Sequence, residues 1–167
     1  IASGQFSHAE GDPTVASGFA SHSEGINTNA IGSASHSEGD STSASGIGSH
    51  AEGYSNISLG IYSHSEGYSN ITYGDYSHIE GYGNYIDSIA VGSSVKGINN
   101  KNYGLFSSME GDSNANYSKY THIEGQNNIN IKLNIVSNPP PQPADLSHIE
   151  GSGNTNYGLA SHLEGVS

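Results

Sequence analysis

Apolar and polar positions alternate along this chain in short runs of about four or five residues, and glycine closes each run. Glycine stands at 4, 11, 18, 25, 32, 39, 46, 53, 60, 67, 74 and 81, at a constant interval of seven. The residue two before each glycine is small through the early part of the chain: Ala9, Ala16, Ser23, Ala30, Ser37, Ala44, Ala51 and Ser58. Period-two alternation predicts strands, because successive side chains of a strand point to opposite faces. A helix is excluded. Glycine at every seventh position costs about 1 kcal/mol each relative to alanine, and the intervening Ser, Asn and Thr are poor helix formers.

The two seven-residue halves differ. One reads Gly-x-x-Ser-His-x-Glu, as in Gly4 to Glu10, and the other Gly-x-x-Thr/Asn-x-small-x, as in Gly11 to Ser17 or Gly53 to Leu59. Each half has room for a strand of four or five residues and a tight turn made by glycine. A fixed period of fourteen with this content predicts an all-β fold, a parallel β-solenoid whose strands pair with their equivalents one coil on. Eleven such coils make a rod about 50 Å long at a strand spacing of roughly 4.8 Å.

Alternation assigns the faces. Ser7 and Ala9 point one way, with Thr14 and Ala16 of the other half; Phe6, His8 and Glu10 point the opposite way, as do Val15 and Ser17. An interior that accepts only Ala and Ser is thin. Further along, the inward motif position enlarges to Ile79, Val95, Met109, Ile123, Ile149 and Leu163, so the coil interior is expected to widen. The residue before the motif serine changes from Ala20, Ala34 and Gly48 to Tyr62, Tyr76, Phe106 and Tyr120, which predicts an aromatic outer face.

The whole chain, 1–167, reads as one repeat segment with two irregularities. Gly97 follows Gly81 at a spacing of sixteen, giving an irregular coil over 82–97 with Ser94 and Lys96 where His and Glu are expected. Gly151 follows Gly125 at a spacing of twenty-six, and the stretch between them includes Pro139, Pro140, Pro141 and Pro143. Such a run cannot pair in a sheet, so a loop is expected at about 133–146. The opening in mid-repeat at Ile1-Ala2-Ser3-Gly4 suggests a piece of a longer fibre.

Composition alters this picture in one respect. Leu, Ile, Val and Phe together number thirty, and the formal net charge is -12, values that alone describe a disordered chain. The exact phase of the glycines argues otherwise. Little apolar area is buried per coil, at about 25 cal/mol per Å², against the entropy of ordering a glycine-rich chain. Packing of identical chains around an axis is the economical way to cover the second face, so self-association is expected. There is no cysteine, which removes disulfides and thiolate metal sites. Without arginine, and with Lys96, Lys101, Lys119 and Lys132 as its cations, the chain lacks the basic patch of a nucleic-acid or anionic-lipid binder. No apolar run is long enough for a membrane span.

The candidate chemistry lies in Ser-His-x-Glu-Gly. All nine histidines, His8, His22, His36, His50, His64, His78, His122, His148 and His162, fall in copies or near-copies of it. His and Glu two apart share a strand face, so His8 with Glu10, His22 with Glu24 and His36 with Glu38 are candidate metal pairs. Alternatively the pairs form a structural ladder that offsets carboxylate repulsion between coils. Recurrence in nearly every coil favours the structural reading, since functional sites are few per protein. For the same reason no cofactor and no enzyme activity are expected; no carboxylate pair is set apart for glycoside hydrolysis. Tyr54, Tyr68 and Tyr82, one coil apart, are candidate glycan contacts or a ladder that stabilises the sheet. The Thr14, Thr28 and Thr42 row, of interest for ice binding, is assigned inward. The sequons at Asn56, Asn70 and Asn116 read as coincidental in Asn-rich sequence.

Gly4 to Gly11 and Ile89-Ala90-Val91-Gly92 resemble the head repeats of YadA-type trimeric autotransporter adhesins. The Ser-His-x-Glu-Gly form is similar to repeats in bacteriophage tail-fibre proteins. The resemblance implies a left-handed β-roll, assembled as an intertwined homotrimer in an extracellular, cell-surface or virion fibre. Its implied role is structural and adhesive, toward a host-surface glycan or protein receptor, or glycan-depolymerising as in some viral fibres. Adhesin heads carry Ile or Val before the second glycine, where this chain has Ser17, Ile31, Ser45, Leu59 and Tyr73.

Overall fold

The computed structural model describes residues 1–131, 146–157 and 160–166. It is a parallel β-solenoid with two sheets and, among the described residues, no helix. Eleven motif strands, from His8–Gly11 and His22–Ile26 to Ser147–Ser152 and Ser161–Val166, stack in chain order into one sheet. Ten short strands, from Val15–Ala16 to Thr155–Asn156, form the other. The register joins equivalent residues: His22 pairs with His36, Glu24 with Glu38 and Gly25 with Gly39. Parallel pairing between coils is the direct consequence of a repeat that returns each residue type to the same place every fourteen residues.

The two halves are less alike than expected. Motif strands run four to six residues, but each strand of the other half has two. The remaining residues of that half turn corners. Asn27, Ser41, Ser55, Ser69, Asn99, Ser113 and Asn127 adopt the left-handed conformation between a motif strand and a short strand. Phe6, Ala20, Ala34, Tyr62, Tyr76, Phe106 and Tyr120 adopt it before the next motif strand. Phe6 and its equivalents are therefore corner residues and do not belong to the His/Glu face, and the aromatic series Tyr62, Tyr76, Phe106 and Tyr120 lines an exposed edge. Each corner is tied to the preceding coil, for example by the Ser41 N–H donating to the Ile26 carbonyl at 2.9 Å and the Tyr62 N–H to that of Ile47 at 2.8 Å.

The motif glycine also departs from its expected role. It lies inside the strand, not at the corner: Gly39 is within His36–Asp40 with φ of 104°. A Cβ on Gly39 would stand 2.1 Å from the carbonyl oxygen of Gly53 in the next coil. Close backbone approach and an unusual φ together require glycine here.

Alternation correctly separates inside from outside. Ser23, Ser37, Ala51, Ser65, Ile79, Val95, Ile123 and Ile149 are fully buried, as are Ala16, Ala30 and Ala44 from the opposite sheet. Up to Thr72 no buried hydrophobic side chain is larger than alanine. Beyond it Ile79, Ile86, Ala90, Val95, Met109, Ile123 and Ile149 form one apolar cluster, with Leu163 packed against it. The enlargement is not apolar throughout. The column that begins with Ala16, Ala30 and Ala44 ends as Asn102, Asn116, Asn130 and Asn156, joined by side-chain hydrogen bonds such as that donated by Asn116 Nδ2 to Asn102 Oδ1 at 2.9 Å.

A second buried ladder continues the Thr14, Thr28 and Thr42 row as Asn56, Asn70, Asn84, Asn100, Asn114 and Asn128. Asn114 Nδ2 donates to the Gly125 carbonyl of the next coil at 2.8 Å, and its N–H donates to Asn100 Oδ1 at 3.0 Å. The row faces inward as assigned, so these threonines present nothing to ice. Asn56, Asn70 and Asn116 are fully buried, which withholds all three sequons from modification in the folded chain.

The irregular coil keeps its register through Ser94–Ile98, with His78 opposite Ser94 and Glu80 opposite Lys96. Its extra residues bulge at the corner around Ser88 and Ile89, and Ala90 occupies the buried place that glycine holds in earlier coils. The proline-rich loop expected at about 133–146 lies, apart from Leu146, outside the described residues.

Candidate functional site: the histidine and glutamate ladder

The motif divides its side chains between two faces. The serine turns inward, where its Oγ donates to the carbonyl of the glycine three residues before it: Ser21 to Gly18 at 2.8 Å, Ser35 to Gly32 at 2.7 Å, Ser49 to Gly46 at 2.8 Å. It fastens the corner. The adjacent histidine points outward, so the two never meet as nucleophile and base within a motif.

Histidines stack on histidines. Ring centroids are 4.8 Å apart for His22 and His36, 4.7 Å for His36 and His50, and 4.7 Å for His50 and His64, all near parallel. His8 begins the column tilted at 35°, and His78 ends it edge-on to His64 at 83°. Ser94 and Ser108 then interrupt it, and His122, His148 and His162 resume the stack. Burial lowers the His50 and His64 pKa values, and the neighbouring imidazoles add to the effect.

Glutamates form a parallel column. Glu10, Glu24, Glu38, Glu52, Glu66 and Glu80, with the glycine after each, line an open groove of about 850 Å³. Carboxylates one strand apart cannot all be ionised cheaply. Interaction with the Glu38 and Glu66 carboxylates raises the Glu52 pKa to about 7, while the interaction with Glu52 lowers that of Glu38. Further along, Lys96 Nζ lies 3.3 Å from Glu80 Oε2 and supplies the counter-charge directly.

Within a motif the histidine and glutamate approach without bonding. Nε2 to Oε2 is 3.4 Å for His22 and Glu24, 3.7 Å for His36 and Glu38, and 3.7 Å for His50 and Glu52. His122 with Glu124 and His148 with Glu150 are at 3.9 and 3.8 Å. His162 and Glu164, at 3.0 Å, do hydrogen-bond. Of the metal candidates, His8, Glu10, His22, Glu24, His36 and Glu38 occupy the early rungs, but the tightest convergence of donors comes later. Atoms of His50, Glu52 and His64, and separately of Glu66, His78 and Glu80, lie within 4.8 Å of one another. Sequence reasoning missed this distinction because the motif is identical in each coil.

The tyrosine ladder is present as expected. Tyr54, Tyr68 and Tyr82 end successive motif strands, with centroids 4.8 and 5.0 Å apart and planes within 12°. All three are exposed. On another edge Phe106, Tyr120, His122, Leu146, His148 and His162 help to line a groove of about 700 Å³, which the motif pattern alone did not signal. No family model and no curated protein matches the chain.

Proposed function

We propose that the chain is a structural and adhesive segment of an extracellular, cell-surface or virion fibre, in which left-handed β-rolls associate as an intertwined homotrimer. The observation that carries this reading is the unbroken stacking of eleven motif strands in one register, maintained even through the irregular coil. Such a rod resists extension and presents the same surface many times. Exposed apolar side chains along it, among them Phe19, Ile31, Ile47, Leu59 and Tyr73, suit burial against identical chains.

Mass in solution tests the assembly. A species three times 17.3 kDa supports the trimer, and a monomer at micromolar concentration removes it. The stacked, exposed rings of Tyr54, Tyr68 and Tyr82 favour a glycan as the surface recognised, since sugar rings pack on aromatic faces. Glycan-array binding by the chain, lost when the three tyrosines become alanine, supports that choice. Equal binding by the triple variant overturns it.

A further inference from the structure

Among the described residues, four ring nitrogens in the ladder make no hydrogen bond. The Nε2 atoms of His22, His36, His50 and His64 are covered by their neighbours and make no hydrogen bond, although the rings themselves are only half-buried. A buried polar atom left unsatisfied is costly. The carboxylate opposite is near but stands off, at 3.7 Å for both His50–Glu52 and His64–Glu66. An N–H···O bond needs about 2.7–3.2 Å. Two donors on one ion, each bound at about 2.0–2.1 Å with tetrahedral angles, lie roughly 3.3 Å apart. The His–Glu separations are closer to that edge length than to a hydrogen bond, whereas the stacked rings of His50 and His64, with centroids 4.7 Å apart, must tilt toward each other to share an ion.

Among the rungs, the donors of His50, Glu52 and His64 all lie within 4.8 Å of one another, and both imidazoles there carry an orphaned Nε2. Closing to bonding distance takes a movement of roughly 1–1.5 Å, within reach of half-buried side chains rotating about χ1 and χ2. The neighbouring group Glu66, His78 and Glu80 offers one imidazole in place of two. Two imidazoles and a carboxylate match zinc and its neighbours in the first transition row, with one position left for water. Hard cations such as calcium prefer all-oxygen shells.

We propose that His50, Glu52 and His64 form a binding site for a divalent transition-metal ion of zinc type, bridging two adjacent coils. The bound ion satisfies both ring nitrogens and clamps one coil to the next.

The test uses tag-free full chain, stripped with a chelator, and zinc itself as the probe. Titration calorimetry and competition with a chromophoric chelator should show one tight site per chain. His50→Gln/His64→Gln, and separately Glu52→Gln, should weaken it by more than the 10–100-fold that loss of an outer-shell partner costs. His162→Gln, where the ring is already hydrogen-bonded to Glu164, should leave the affinity unchanged. Cobalt(II) in place of zinc should give the strong visible absorption of a four-coordinate site in the wild type and lose it in the double variant. Circular dichroism on every variant confirms that the sheets are retained, and the conservative Glu52→Gln serves if the double variant does not fold. Absence of zinc binding, or affinity equally reduced by His162→Gln and by the double variant, overturns the site; the latter result means diffuse binding along the whole ladder.

Discussion

The coils before Thr72 and those after it share one backbone plan and fill it with different chemistry. In the first region the interior is Ala, Ser and Thr, joined only in its last coils by Asn56 and Asn70, and it is closed by hydroxyl pairs such as Ser37 Oγ with Thr42 Oγ1 at 2.8 Å. In the second, a row of Ile, Val and Met lies between two columns of buried asparagine. The comparison teaches that the repeat fixes the path of the chain through glycines, corners and backbone pairing, and leaves the inward side chains free to vary. Stability should therefore be unequal along the rod, as expected when each coil contacts only its neighbours.

Breaking the apolar row should have the largest effect. Ile123→Ala is expected to cost about 2–5 kcal/mol, whereas Ala44→Gly in the thin region should cost only about 0.5–1 kcal/mol. Denaturant unfolding of both variants checks the contrast, and equal losses contradict it. Asn114→Ala should follow closely, at about 1–3 kcal/mol, because it removes the Oδ1 to which the buried Asn128 N–H donates at 2.9 Å. Amide hydrogen exchange should register the loss first in the coils next to it. Overpacking the thin interior is a third probe: Ser37→Ile should destabilise by about 1–3 kcal/mol, although isoleucine is the native choice at the equivalent Ile79.

A smaller effect separates the two regions by pH in metal-free protein. Glu52 has a raised folded pKa, about 7, so its stabilising contribution is present below the unfolded value near 4.5 and is lost as pH rises through 7. His50 and His64 act oppositely. Their pKa values are lowered, so stability is lost as pH falls below the unfolded value near 6.5. Glu52→Gln keeps a donor at this rung without needing a proton. Its melting temperature should fall less than that of the wild type between pH 5 and pH 8, and parallel profiles would show that the Glu52 pKa is not raised. The smallest change is expected at the junction: Lys96→Glu places a carboxylate between Glu80 and Glu110, and should destabilise by no more than about 1 kcal/mol, less in high salt.

Much of this was legible from residue spacing. A fourteen-residue period with two glycines gives the coil, and alternation gives the inward Ser23, Ser37, Ile79 and Thr42. The misassigned residues share one cause. Phe6 and Tyr62 looked like strand positions because the alternation continues through them, yet they sit at φ of 61° and 53°. Left-handed corners occupied by aromatic residues have no strong signal, whereas the glycine that suggested a corner, Gly39, is held in the strand by the approach of Gly53.

The sequence by itself determined the period, the parallel pairing and the side of each sheet that turns inward, because these follow from local geometry repeated without interruption. Tertiary structure decided which residue turns each corner, which carboxylate has its pKa raised and which ring nitrogens are left unsatisfied. Those properties depend on distances between coils, and identical motifs do not have identical neighbours: His50 and His64 lie inside a stack, His8 and His78 close its ends, and His162 bonds to its own glutamate.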